Sequence, residues 1–179
     1  MEGGNFMYMI KITGVLAVMI GVVGLLDSWK KTMDQRLSFL ADFCRLYKSG
    51  RFYLAQQKMK TPVFFDGFKG ENEYFTKICR KISQNLIEHK YPQGAECWDM
   101  AWKKELNKYG FDSDTKRIIN ESGKYFFEIS PDEMEERLLE YNRALEKKIE
   151  NETLKYQEKR KVVYPVGMLG GIMLVIILL

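Results

Sequence analysis

The chain has 179 residues, with 28 Lys and Arg against 24 Asp and Glu and a formal net charge of +4. A charge this small and this mixed in sign gives no indication of nucleic-acid binding. The three cysteines, Cys44, Cys79 and Cys97, lie far apart without a C-x-x-C pair, which argues against a disulfide framework and fits a reducing compartment. Both ends are nearly free of charge, so about 130 residues remain between them, enough for one modest hydrophobic core.

The N-terminal residues 1–28 are predicted to form a transmembrane helix. The apolar run 12–26 extends backward past Lys11 to about 20 residues, which is long enough to span a bilayer if the lysine reaches toward the headgroups. A cleaved signal peptide is the alternative. We disfavour it because no small-residue cleavage site follows the run, and because the basic pair Lys30 and Lys31 comes after it rather than before it.

The middle of the chain, 29–161, is predicted to be an all-α helical-bundle domain, because apolar residues recur at helical spacing without strand-like alternation. Its first helix should continue out of the membrane span through 28–47 and stop near Gly50. Four further helices are predicted before the final one. One begins at Thr61-Pro62, two cover 71–90 and 95–109, and the last is capped by Asp112 or Ser113. The positions expected in the core include Ile78, Ile82, Trp98, Trp102, Leu138 and Leu145.

A long final helix is predicted to begin at Ser130-Pro131. Serine at the cap, proline at the first helical position and Glu133 three residues after the serine form a capping box. Apolar residues then follow at steps of three and four as one narrow stripe. Residues 162–179 contain no charge and span roughly 27 Å as a helix, so they are predicted to form a second transmembrane helix. Pro165 is expected to kink this helix near the headgroups.

The placement of basic residues predicts the orientation of both spans. The basic flank adjoins the middle domain at both spans, so the middle domain is expected in the cytosol and both termini on the far side. The residues of this membrane flank are Trp29, Lys30, Lys31, Lys159, Arg160 and Lys161.

Small residues recur in both predicted spans, at Gly14, Gly21, Gly24, Gly167, Gly170 and Gly171. Because small residues let helix backbones approach closely in lipid, these glycines could form a packing face between the two spans or with another protein. The alternative is that glycine is simply common in membrane helices. The sequence does not separate the two interpretations.

No arrangement of residues predicts an enzyme, a cofactor or a metal site. The single histidine, His89, lies at a predicted helix end and is interpreted as solvated rather than as a general base. The spacings among Cys44, Cys79, His89 and Cys97 differ from the close pairs of zinc sites, so the cysteines are interpreted as buried structural residues. The sequence has no G-x-x-x-x-G-K-[ST] phosphate-binding loop.

An acidic cluster at the start of the final helix has two interpretations. It is either a solvated helix start or a surface that a basic partner would contact. The cluster comprises Glu128, Asp132, Glu133, Glu135 and Glu136.

Four short motifs resemble the stage III sporulation protein AB family. The IKITG segment at 10–14 is similar to the family's lysine-then-glycine opening, and Thr61-Pro62 falls where the family has a Thr-Pro. The AECW segment at 95–98 resembles a family helix with a characteristic tryptophan. The VGMLGG segment at 166–171 and the aliphatic tail that follows it resemble the family's C-terminal span.

Two segments depart from the family pattern. Gln56-Gln57 stands where the family has an acidic and an aliphatic residue before the Thr-Pro. The segment 124–127 intervenes where a leucine-glycine pair is expected shortly after Gly123. The loop before the final helix is therefore expected to be remodelled.

The resemblance implies a non-enzymatic membrane platform subunit of the secretion-like channel between mother cell and forespore during endospore formation. It implies a domain similar to the cytoplasmic domain of the type II secretion platform protein, a place in the mother-cell membrane around the forespore, and no cofactor. Fold-level analogy implies other stage III sporulation proteins as partners, including the AA ATPase, and leaves a homo-oligomer open. The alternatives are a subunit of another type II secretion or type IV pilus-like apparatus, and a membrane-anchored sensor or enzyme.

Overall fold

The structure is a computed structural model that describes residues 3–127 and 130–178. Across these residues the chain is helical and has no strand, which confirms the all-α prediction. Glu128 of the acidic cluster and Leu179 of the second predicted span lie outside the described residues.

The described residues form α-helices joined by short turns. The helices are α1 (Gly3–Gly50), α2 (Thr61–Gly67), α3 (Glu73–Ile87), α4 (Gly94–Lys108), α5 (Ser113–Gly123) and α6 (Pro131–Leu178). A π-helical turn, Arg51–Gln56, follows α1, and a 3₁₀ turn, Lys124–Phe126, follows α5. The π-helical turn is a feature that the hydrophobic spacing did not predict.

The chain divides into two compact units. The helical core unit is Arg36–Glu152, and the two-helix unit combines Met1–Gln35 with Thr153–Leu179. Each of the long helices α1 and α6 contributes one part to each unit. The two units are described separately below.

Aromatic side chains dominate the centre of the helical core unit. The rings of Phe43, Phe75 and Trp102 lie 4.7–4.8 Å apart in all three pairings, and Trp98 stacks on Phe126 at 5.2 Å. Such pairs add stability beyond the area they bury. The core positions proposed from the sequence are buried as well: Ile78, Ile82, Trp98, Trp102, Leu138 and Leu145.

Trp98 is held in place by a hydrogen bond and a close glycine. Its Nε1–H donates to the carbonyl of Ile119 at 2.9 Å. A Cβ added at Gly123 would lie 2.3 Å from Cδ1 of the same indole. Position 123 therefore needs glycine for the close approach, although its backbone φ of −56° is open to any residue.

The buried carboxylate of Asp42 holds the loop between α2 and α3 against α1. Its two oxygens accept hydrogen bonds from the backbone N–H groups of Glu71 and Asn72, both at 2.8 Å. Nη1 of Arg45 lies 3.4 Å from the same carboxylate. A Cβ added at Gly70 would lie 2.7 Å from Oδ2, so the loop passes Asp42 at a glycine.

Caps at both ends make α3 shorter than its predicted range. At the start, the side chain of Asn72 accepts hydrogen bonds from two backbone N–H groups of the first turn. At the end, the N–H of His89 donates to the carbonyl of Leu86 and the N–H of Lys90 to that of Asn85. These two bonds form a Schellman motif, which stops the helix.

Asp112, rather than Ser113, caps α5. Its side chain accepts a hydrogen bond from the N–H of Thr115 at 2.8 Å, and Nζ of Lys148 donates to it at 3.1 Å. Burial alone would raise the pKa of Asp112, but these hydrogen bonds outweigh it and lower the pKa to about 2. Because Lys148 belongs to α6, the cap also ties α5 to α6.

The start of α6 has one of the two hydrogen bonds expected of a capping box. Oγ of Ser130 accepts from the N–H of Glu133 at 3.5 Å, and Pro131 is the first helical residue. Met134 and Leu138 of the predicted stripe are buried. The helix continues through Pro165 to Leu178, and a kink at the proline stays a prediction.

Candidate functional site

Two helices are long and apolar enough to cross a membrane. By length and composition they lie within Thr13–Gln56 and Asp132–Ile177. Of the residues in their most apolar stretches, 0% and 6% are buried. The core helix of a soluble protein differs, because its apolar side chains pack inside. Two exposed apolar helices support association with a membrane.

Small residues in the second helix contact large ones in the first. A Cβ added at Gly167 would lie 3.4 Å from Cδ2 of Leu26, and one added at Gly171 would lie 3.3 Å from Cγ2 of Val22. The other glycines of the proposed packing face have nothing within 4 Å of an added Cβ: Gly14, Gly21, Gly24 and Gly170. Within the two-helix unit, only Gly167 and Gly171 of the six therefore make the small-on-large contact expected of close helix packing in lipid.

Replacing Gly171 by Leu is expected to weaken the contact between α1 and α6 in the two-helix unit. The added side chain would meet Val22, whereas Gly170→Leu adds the same volume on open surface. The measurement is oxidative cross-linking of the full chain with cysteines at positions 26 and 167. We expect a lower yield with Gly171→Leu and an unchanged yield with Gly170→Leu; equal yields would contradict the described contact.

Aromatic and charged side chains lie at the C-terminal end of the first apolar helix and at the N-terminal end of the second, which are called the inner ends below. The rings of Trp29 and Tyr156 lie 5.2 Å apart, and the guanidinium of Arg160 lies 5.3 Å from the ring of Tyr164. Lys31 pairs with Asp27 at 2.8 Å. Lys30, Lys159 and Lys161 are exposed. Aromatic and basic side chains of this kind are typical of a membrane–water interface.

The residues considered for catalysis or metal binding are not brought together. Among the described residues, no group of three His, Cys, Asp or Glu side chains is placed to hold a metal ion. Cys44, Cys79 and Cys97 are buried free thiols, and burial raises the pKa values of Cys79 and Cys97. Since the thiolate is the reactive form, these thiols have the character of inert structural cysteines.

His89 has a backbone role. It is exposed and has a φ of 49°, the left-handed conformation that glycine usually supplies at this position of a Schellman motif. Replacing it by Gly is expected to increase the free energy of unfolding by up to about 1 kcal/mol, because the strain on a side chain is removed.

The check is chemical denaturation of the full chain in detergent, with His89→Asn as a matched control. Asparagine tolerates the left-handed conformation better than histidine, so its effect should fall between wild type and glycine. A loss of stability in His89→Gly would contradict the backbone role and show that the imidazole makes a contact of its own.

The acidic cluster is divided between internal contacts and solvent. Glu135 accepts hydrogen bonds from Arg51 at 3.2 Å and from Gln56 at 3.0 Å. Asp132, Glu133 and Glu136 are exposed. A basic partner for the exposed carboxylates stays a prediction.

A surface groove between α1 and α2 was not predicted from the sequence. This α1–α2 groove has a volume of about 580 Å³. Its apolar lining comes from Tyr53, Met59, Val63, Phe64 and Phe68, and its basic lining from Arg45, Lys48 and Lys69. The lining comes from α1, the π-helical turn, α2 and the residues beside them, so the apolar pattern of one helix could not have revealed it.

A second cavity of about 310 Å³ lies between α3 and α4. Oη of Tyr74 donates to Oε1 of the buried Glu105 at 2.7 Å. This bond to Glu105, together with burial, raises the pKa of Tyr74 to about 12. Both residues therefore serve the contact between α3 and α4.

Comparison with known proteins identifies the family of the chain. Residues 11–179 match the family model described as stage III sporulation protein AB. No curated protein and no solved structure gave a significant match. The matched range covers both apolar helices and the whole helical core unit. The chain is therefore a stage III sporulation protein and belongs to the stage III sporulation protein AB family.

Proposed function

We propose that the chain is a non-enzymatic membrane platform subunit of the secretion-like channel between mother cell and forespore. The observation that carries this proposal is the family match over 11–179, essentially the whole chain. The exposed apolar helices support a fixed place in a membrane. The described part of the chain also supports a structural role, because its thiols are buried and its histidine occupies a helix end.

The proposed location is the mother-cell membrane around the forespore, with the helical core unit in the cytosol and both termini on the far side. The basic side chains Lys30, Lys159, Arg160 and Lys161 adjoin the inner ends of the two apolar helices, and basic residues favour the cytosolic side. The proposed partners are other channel proteins, including the stage III sporulation protein AA ATPase. That assignment rests on the analogy with secretion platforms.

Deletion of the gene in its source organism, followed by microscopy of sporulating cells, tests the function. We expect arrest after engulfment with collapsed forespores and no late forespore gene expression. The wild-type gene should restore sporulation, and a copy that lacks the last apolar segment, 162–179, should not. Normal spores after deletion would contradict the proposal.

Cysteine labelling of intact cells tests the orientation separately. Gly67 is a suitable cytosolic position because an added Cβ has nothing within 4 Å there, whereas Gly70 faces Asp42. A cysteine at Gly67 should be shielded from an impermeant maleimide and one at Gly3 should react. The native thiols are buried and should stay silent. The reverse pattern would overturn the orientation and leave the family assignment intact.

A further inference from the structure

The α1–α2 groove combines an apolar floor with excess positive charge. Phe64 and Phe68 form a buried base, while Tyr53 and Val63 are 38% and 57% exposed. The apolar surface continues beyond the groove to Phe52, whose ring lies 5.0 Å from that of Tyr53. Aromatic and methionine side chains of this kind are enriched in the cores of protein–protein interfaces.

The charge around the groove is one-sided. The segment 43–70 has six basic residues and one acidic residue, and the acidic residues Asp42 and Glu71 directly flank it. Three of the six basic residues are paired: Arg45 with Asp42 and Glu71, Lys48 with Glu146, and Arg51 with Glu135.

Three lysines at the groove remain without such a partner. Within residues 3–127 and 130–178, no carboxylate pairs with the ammonium groups of Lys58, Lys60 or Lys69. Lys69 lines the groove, and Lys58 and Lys60 flank the lining residue Met59. Unpaired cations around an apolar floor favour a partner that is both apolar and acidic.

The backbone at this edge is also unusual. The π-helical turn Arg51–Gln56 supplies Tyr53, and Lys58 has a left-handed φ of 52°. π-Helical turns are rare and occur frequently at functional sites. Here the turn directly follows α1 and precedes α2, and its Tyr53 lines the groove.

We propose that the α1–α2 groove binds an acidic amphipathic helix of a partner protein. The apolar face of that helix would pack on Tyr53, Met59 and Val63, and its Glu or Asp residues would pair with Lys58, Lys60 and Lys69. This mode, an amphipathic helix laid in an apolar groove, is common in peptide recognition. The inference concerns a surface of the helical core unit and does not depend on the channel role.

The test measures binding of a defined probe to the full chain in nanodiscs of neutral lipid. The probe is a fluorescent peptide of about 18 residues, long enough to be helical, with Leu at helical spacing and Glu elsewhere. A matched peptide has Lys in place of each Glu. We expect the Glu peptide to bind, the Lys peptide not to bind, and added salt to weaken binding.

Two triple variants distinguish binding at the groove from a general effect of the protein's charge. Lys58→Glu, Lys60→Glu and Lys69→Glu together should weaken binding about tenfold, because three attractions become repulsions. Lys81→Glu, Lys103→Glu and Lys147→Glu make the same change in formal charge on exposed positions outside the groove lining, and binding should persist. Near-ultraviolet circular dichroism checks that both variants are folded. Equal binding by both variants, or by both peptides, would overturn the proposal.

A fluorophore at the groove identifies other occupants. Val63→Cys labelled with an environment-sensitive dye should shift its emission to the blue when the Glu peptide is added. A blue shift caused by anionic lipid alone would assign the surface to the membrane and overturn the proposal. A blue shift that appears when two copies share a nanodisc, without peptide, would assign it to a homomeric contact and also overturn it.

Discussion

Replacing Asp42 by Ala is expected to lower the free energy of unfolding of the helical core unit by about 3 kcal/mol. The carboxylate is 0% exposed and accepts hydrogen bonds from two backbone N–H groups at 2.8 Å. Alanine leaves both donors without their acceptor and a void where the carboxylate was. The loop between α2 and α3 would then lose its attachment to α1.

Two matched variants make this expectation specific. Asp42→Asn keeps one carbonyl acceptor and turns an amide N–H₂ toward the second donor, so its loss should be intermediate. Asp66→Ala removes an exposed carboxylate from α2 and should change stability by less than about 0.5 kcal/mol. Denaturant titration of the full chain in detergent, followed by near-ultraviolet circular dichroism of the aromatic core, measures all three. Equal effects of Asp42→Ala and Asp66→Ala would show that the loop does not depend on the buried carboxylate.

Replacing Gly123 by Ala is expected to cost about 3 kcal/mol, because the new methyl group would overlap a fixed indole. The added Cβ would lie 2.3 Å from Cδ1 of Trp98. The indole cannot move aside without breaking its bond to Ile119 and its stacking on Phe126. The backbone at this position is helical, so helix propensity alone would favour alanine.

Gly67→Ala is the control, since it makes the same chemical change at the end of α2 with nothing within 4 Å of the new Cβ. It should leave stability unchanged or raise it by up to about 1 kcal/mol. The same titration compares the two. If Gly123→Ala were as stable as Gly67→Ala, the close packing of Trp98 against Gly123 would be wrong.

The helices were predictable because their signals are local. Apolar residues at steps of three and four locate α3, α4 and α6, and Ser130-Pro131 marks where α6 begins. The errors are at the helix ends, where a few hydrogen bonds decide which residue is the last helical one. The side-chain cap of Asn72 and the Schellman motif at His89 make α3 shorter than the predicted range. Two acceptable caps, Asp112 and Ser113, could be separated only by the hydrogen bonds they make.

The candidate surfaces were less predictable because each combines residues from more than one element. In the sequence, Asp42 is one polar residue between the apolar residues of a helix. Its hydrogen-bond partner, the backbone N–H of Glu71, lies 29 residues further on. The α1–α2 groove combines residues on either side of a turn where the apolar pattern weakens. The glycines of the two spans are alike in sequence, yet among the described residues an added Cβ would lie within 4 Å of the other helix only at Gly167 and Gly171.

The distribution of the three tryptophans gives each compact unit its own intrinsic fluorophore. Trp98 and Trp102 are fully buried in the helical core unit, whereas Trp29 lies at the inner end of an apolar helix beside Tyr156. Trp29→Phe would leave emission that reports the helical core unit alone, and replacing the other two by Phe would leave emission that reports the two-helix unit. Quenching by brominated lipid should then reach Trp29 and spare Trp98 and Trp102.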